Sequence, residues 1–235
     1  MKYILPHGFR FRLLLAAIAL TVIGCGETAT PVAPRPTRSE PRATTRVADE
    51  NPFRIAFLGD SLSAGLGLTE SEAFPALVQQ QLRQRGFAVE VTNAGVSGDT
   101  TAGGLSRIDW VLRSEPDLLV VELGANDALR GQPLENTESN LRAIVRRASA
   151  AGASVLLLGM DVPTNYGPEY TAGFAELYGR IAEEEEQVEL LPGFVREFGL
   201  DPTLTMPDGL HPTAAGHRKL AQTLVATIEK RLPRP

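Results

Sequence analysis

Phe53-Arg54-Ile55-Ala56-Phe57-Leu58-Gly59-Asp60-Ser61-Leu62-Ser63 is the stretch that decides how this chain folds. A short apolar run closed by glycine reads as a buried parallel strand. The run Ile55–Leu58 then delivers Ser61 to the strand's carboxyl end, the edge at which open α/β sheets bind ligands. A serine at that edge is placed to be a nucleophile, provided that a base and an oxyanion site accompany it.

Downstream, strand-like and helix-like segments alternate. Phe53–Gly59, Phe87–Asn93, Leu118–Gly124, Ser154–Gly159 and Val188–Leu191 read as five strands. Ala73–Arg85, Gly103–Ser114, Leu134–Ala151, Tyr170–Glu186 and Thr213–Arg231 have helical spacing, several with glycine or proline at the stop. Crossovers of this length imply a mostly parallel sheet covered on both faces. Residues 53–235 therefore read as one α/β domain of about 183 residues, long enough for a substantial core.

The chain has three histidines, His7, His211 and His217. His7 falls in a segment expected to be removed. His211 stands in Asp208-Gly209-Leu210-His211-Pro212, three residues after an acid. A carboxylate on the second imidazole nitrogen fixes the tautomer and steadies the imidazolium. This points to Ser61 as nucleophile, His211 as base and Asp208 as its orienting acid. His217 is expected on the surface of the closing helix or lightly packed, in a structural role.

An acyl-transfer site also needs donors aimed at the developing oxyanion. The second strand end carries Asn93-Ala94-Gly95-Val96-Ser97-Gly98-Asp99-Thr100, and the third carries Gly124-Ala125-Asn126-Asp127. Gly98 can bring its N–H close for lack of a side chain, and Asn126 can offer its side-chain NH₂. Each glycine alone is ordinary turn chemistry; three such segments at one edge are harder to dismiss. After the fourth strand, the loop Met160–Gly167, with Asn165 and Tyr166, is expected to line the substrate cleft.

The first residues carry Lys2, Arg10 and Arg12 and no acid, followed by the apolar run Leu13–Ile23. This is the pattern of an export signal, too short to span a bilayer. Val22-Ile23-Gly24-Cys25 resembles the lipobox of bacterial lipoproteins, with Cys25 as the lipidated first residue of the mature protein. Cys25 is the single cysteine, so no intramolecular disulfide can form. Residues 25–52 are proline-rich, with balanced charges and no apolar periodicity, and read as a disordered linker with a reach near 30 Å. The expected organisation is a signal peptide over 1–24, a lipidated cysteine and linker over 25–52, and the domain over 53–235. The setting is the cell envelope, with a membrane-anchored domain in the periplasm.

The chain carries a net charge of −5. The positive leader and the balanced linker leave the domain more acidic still, with no basic patch, which argues against nucleic acid as a partner. Gly65 and Gly67 lack the Gly-Lys-Ser/Thr ending of a P-loop and fail the dinucleotide spacing. Glu183–Glu186 reads as a solvated helix face rather than a cation site. Asp60 either serves as a second acid or holds the first loop, and Asp99 and Asp127 read as turn and cap residues. The sequence therefore calls for no metal and no cofactor. It is silent on oligomeric state.

Four blocks, in order, carry a resemblance: Gly59-Asp60-Ser61-Leu62-Ser63, Asn93 to Asp99, Gly124-Ala125-Asn126-Asp127 and Asp208-Gly209-Leu210-His211-Pro212. The chain resembles the SGNH hydrolases, or GDSL esterases and lipases, over nearly all of 54–230. The resemblance implies a flavodoxin-like three-layer α/β/α sandwich. It also implies an oxyanion hole made of the Ser61 N–H, the Gly98 N–H and the Asn126 side chain. Serine at position 63 departs from the Gly-x-Ser-x-Gly elbow of the α/β-hydrolase fold. Ser97-Gly98-Asp99-Thr100 and Val121–Gly131 are similar to the periplasmic thioesterase/lysophospholipase/arylesterase branch. By that resemblance the loop Ala128–Pro133 moves with acyl-chain binding, and Ala128, Leu129, Arg130 and Gly131 are expected to bind substrate. The lipobox and linker depart from that branch. The expected substrate is an acyl ester or thioester, lysophospholipid among them. Alternatives are a carbohydrate O-acetylesterase and a non-catalytic lipid- or glycan-binding module.

Overall fold

β1 (Phe53–Gly59) and β3 (Leu118–Glu122) lie at the middle of the sheet and are buried over most of their length. β4 (Ser154–Leu158) is covered almost as fully. Continuous apolar runs are what a strand covered on both faces requires. β2 (Val89–Gly95) and β5 (Val188–Leu191) form the edges and are partly exposed. The strand order is β2-β1-β3-β4-β5 and every pairing is parallel. This computed structural model describes residues 51–161, 166–199 and 201–233, apart from the Glu197 side chain. The expected leader, Cys25, the linker and Asn165 lie outside the described residues.

The helices are α1 (Ser61–Ala64), α2 (Phe74–Gln84), α3 (Thr101–Leu112), α4 (Ala125–Leu129), α5 (Leu134–Ala150), α6 (Pro168–Glu184), α7 (Arg196–Gly199) and α8 (Ala214–Ile228). α2 packs with α8, while α3, α5 and α6 pack in succession. The reason is handedness. The β1–α2–β2 crossover runs one way along the sheet, and the crossovers through α3, α5 and α6 run the other. Right-handed connections therefore put them on opposite faces. The result is the expected three-layer α/β/α sandwich. The direction reverses between β1 and β3, so the connections leaving their carboxyl ends go to opposite faces and open a crevice there. Ser61 follows β1 and Asn126 follows β3, so the switch point places both at one crevice. Among the described residues, no helix is long and apolar enough to cross a membrane.

Three local differences from the sequence reading have physical causes. β2 begins at Val89 rather than Phe87, because the Phe87 N–H still closes the preceding helix on Leu82 O and pairing with β1 starts at Phe53–Val89. β2 also runs on to Gly95, so Asn93 lies inside the strand, where its side-chain NH₂ donates to Ser63 O at 2.8 Å. The short helices α1, α4 and α7 have too few residues to show a period. His217 is 1 % exposed rather than superficial. With Leu220, Ala221, Leu224, Val225 and Ile228 it forms the inward stripe of α8. Its ring lies along that of Phe74, and Nδ1 accepts the Phe74 N–H at 3.1 Å, an orphan donor in the first turn of α2. Burial lowers its pKa from 6.5 to about 4, which keeps it neutral.

Candidate active site

Asp60 caps α1. Its Oδ1 accepts the Leu62 N–H at 3.0 Å, which turns the chain sharply after β1 and lifts Ser61 to the rim. Ser61 is the first residue of α1, so its N–H has no carbonyl within the helix to bond. Ser61 Oγ lies 2.9 Å from His211 Nε2. His211 Nδ1 lies 2.7 Å from Asp208 Oδ2. The other Asp208 oxygen accepts the N–H groups of Leu210 at 2.9 Å and His211 at 3.0 Å. Those bonds, with the His211 ring contact, hold the Asp208 carboxyl down at about 2 despite its exposure. The loop is itself pinned: Met206 N–H donates to His211 O at 2.7 Å, and Thr205 bridges Pro212.

Asn126 Nδ2 donates to Asp60 Oδ2 at 3.0 Å, which leaves its second amide hydrogen free. Asp60 thus holds both its own loop and Asn126. Gly98 sits in an exposed turn with φ of 79°, a conformation that favours glycine. Its carbonyl accepts from Arg130 Nη2 at 2.8 Å. Asp99 pairs with Arg107 at 2.7 Å, and Arg107 also donates to Gly59 O at 2.9 Å, tying the Gly98 turn to the end of β1. Asp127 is buried and caps α3 from a distance, accepting the Thr101 N–H at 2.8 Å and its hydroxyl at 2.6 Å. Glu184 and Glu185 pair with Arg142 and Arg146 on a solvent-facing seam of α5 and α6.

A cavity of about 490 Å³ opens at Ser61, Asn126 and His211. Leu129, Val195, Phe198 and Leu210 give it apolar walls. Asp161 and Arg196, joined at 2.8 Å, stand in its lining. Of the loop expected to meet the acyl chain, Leu129 alone lines this cavity. Ala128 is buried in the core, Arg130 is engaged with Gly98, and Gly131 lines a separate groove with Tyr166 and Tyr170. Tyr166 is thus apart from the Ser61 cavity. Gly98 is not among the residues lining that cavity.

Sequence reasoning missed Val195, Phe198 and Leu210 as walls. The apolar spacing of Val195 and Phe198 just after β5 was the available signal. It also missed Glu122, a buried carboxyl in an otherwise apolar strand.

The GDSL-like Lipase/Acylhydrolase family matches residues 57–219. The chain is 42 % identical to esterase TesA of Pseudomonas aeruginosa over 176 residues, covering 74 % of this chain and 87 % of that one. It is 41 % identical to thioesterase 1/protease 1/lysophospholipase L1 of Escherichia coli, over 74 % of this chain and 83 % of that one. The crystal structure of TesA superposes with a TM-score of 0.73 at 40 % identity, covering 76 % of this chain and 99 % of that chain. The four ordered blocks, the parallel sheet and these likenesses agree: this chain belongs to the GDSL-like lipase/acylhydrolase family.

Proposed function

We propose that this protein is a serine esterase that hydrolyses acyl esters and thioesters through an acyl-enzyme. The observation that carries the reading is the Ser61–His211–Asp208 alignment at the mouth of an apolar cavity. Ser61 Oγ attacks the carbonyl carbon as His211 Nε2 takes its proton, with Asp208 holding Nδ1–H toward itself. The free Asn126 N–H and the Ser61 and Gly98 backbone N–H groups receive the oxyanion. His211 then returns the proton to the leaving oxygen or sulfur, and the same base activates water to release the acid.

The apolar walls favour a hydrocarbon acyl chain over acetate, and lysophospholipid fits that class. A relative named for thioesterase and lysophospholipase activities supports the same choice. In this reading Cys25 anchors the chain to a membrane of the cell envelope, and the linker leaves the domain in the periplasm. Replacing Cys25 by alanine and following the protein between membrane and soluble fractions tests the anchor.

A panel of model esters and thioesters of increasing acyl length, run on wild type and Ser61→Ala, tests the activity. The expected result is a rise in kcat/KM from acetyl to medium chains and loss throughout in the variant. Preference for acetyl over every longer chain would favour a carbohydrate O-acetylesterase instead.

A further inference from the structure

Glu122 closes β3 in register with Gly59 of β1, and its fully buried side chain lies under the turn that carries Ser61. Three donors converge on one of its oxygens. Oε2 accepts the Asp60 N–H at 3.1 Å, the Ser63 N–H at 3.1 Å and the Ser63 hydroxyl at 2.8 Å. Oε1 is buried without a hydrogen-bond partner among the described residues. A Cβ at Gly59 would lie 2.0 Å from Ser63 Oγ and 2.6 Å from Glu122 Oε2. Glycine at position 59 is therefore what admits this carboxyl beneath the nucleophile's turn.

Asp60, equally buried, distributes its bonds differently. Oδ1 takes the Leu62 N–H and Oδ2 takes the Asn126 amide. A carboxylate accepts on both oxygens, whereas a carboxylic acid accepts on its carbonyl oxygen and carries its proton on the other. Asp60 has the first pattern and Glu122 the second. Two adjacent carboxyls removed from water do not both ionise. Other titratable and charged groups near the pair are His211 and Tyr178, with Arg107 donating to Gly59 O beside it. Arg107 is engaged by Asp99, and among the described residues no cation bonds to Glu122. Burial, reinforced by the Asp60 charge, pushes the Glu122 carboxyl well above the usual range. Burial also raises Asp60, but the Leu62 N–H, the Glu122 carboxyl, the Asn126 amide and His211 pull it back.

We propose that Glu122 is a positioning residue that works as the neutral acid. Oε2 braces the turn presenting Ser61, and retention of its own proton leaves Asp60 as the single carboxylate that aims Asn126. The brace thereby adds no second negative charge beside the developing oxyanion. The inference rests on the reading of Ser61 as nucleophile.

The test combines Glu122→Gln, Glu122→Ala and infrared spectroscopy of the full chain with isotope-labelled glutamate. Glutamine keeps a carbonyl acceptor and stays neutral. Its kcat/KM should remain within about threefold of wild type, with the acid limb of the pH profile in place. Alanine should lower kcat by roughly ten- to a hundredfold at little changed KM, as a misplaced nucleophile does. At neutral pH wild type should show a protonated-carboxyl band that Glu122→Gln lacks. A tenfold or greater loss in Glu122→Gln with a displaced acid limb would overturn the proposal, as would an unchanged band or wild-type kcat in Glu122→Ala. If the alanine variant does not fold, the glutamine variant and the band still decide. The band does not depend on turnover, and fluorophosphonate labelling of Ser61→Ala would separately expose a wrong nucleophile.

Discussion

Ser61 and His211 stand 150 positions apart in the chain, yet Ser61 Oγ and His211 Nε2 lie 2.9 Å from each other. Neither residue sits in a long element. Ser61 is held by the cap at Asp60, and His211 by a loop pinned at Thr205 and Met206. Replacing Ser61 by alanine should leave the fold intact and lower ester turnover by about 10³-fold or more. Thermal denaturation and a fluorophosphonate label, measured on the same preparation, check both halves of that statement.

Asn126 offers one amide hydrogen to Asp60, and in the proposed mechanism the other meets the oxyanion. Asn126→Ala should cost roughly 10²- to 10³-fold, mostly in kcat, because an oxyanion donor acts on the transition state. A loss confined to KM would mean that Asn126 binds ground-state substrate instead.

Asp208 is held down at about 2 by backbone N–H groups and His211. The sign follows from a lowered acid: its contribution is present above its unfolded value and is lost as pH falls toward 2. Asp208 therefore stays ionised well below the range of an ordinary carboxyl. Asp208→Asn should lower kcat by on the order of 10²- to 10⁴-fold by releasing the imidazole from its tautomer. Rate measurements across pH on wild type should show no titration attributable to Asp208 in the range of an ordinary carboxyl.

His217 titrates near 4 in the folded protein against 6.5 for a free imidazole. Between these values the unfolded chain binds the extra proton, so His217 makes stability rise with pH across that window and fall as the medium is acidified. His217→Asn keeps an acceptor for the Phe74 N–H without the titration. Urea unfolding at pH values inside and above the window should show a shallower acid loss in the variant, by on the order of a few kcal/mol at most.

Much of the site was legible in the primary structure. The apolar run ending in Gly59, the Asp208–His211 spacing and the order of the four blocks are local patterns, and local chemistry produces them. Glu122 went unread and His217 was placed too near the surface for a common reason. Whether a polar side chain in an apolar element faces inward depends on which neighbour covers it, and those neighbours, Ser63 and Phe74, lie far away in sequence. The stripe on α8 did hold the signal for His217 at helical spacing. Nothing comparable marked Arg130 as a partner of Gly98 rather than of substrate.

By itself, then, the sequence determined the α/β class and the family and pointed to the candidate serine, histidine and aspartate, because strand runs, turns and short loops are set within a few residues. The tertiary structure alone decided what surrounds them. Sheet order puts Ser61 and Asn126 at one switch point. Close approach at Gly59 lets a buried carboxyl brace the turn. The packing after β5 chooses which apolar side chains wall the cavity. Those relations depend on crossover handedness and on distances between elements, which no local pattern encodes.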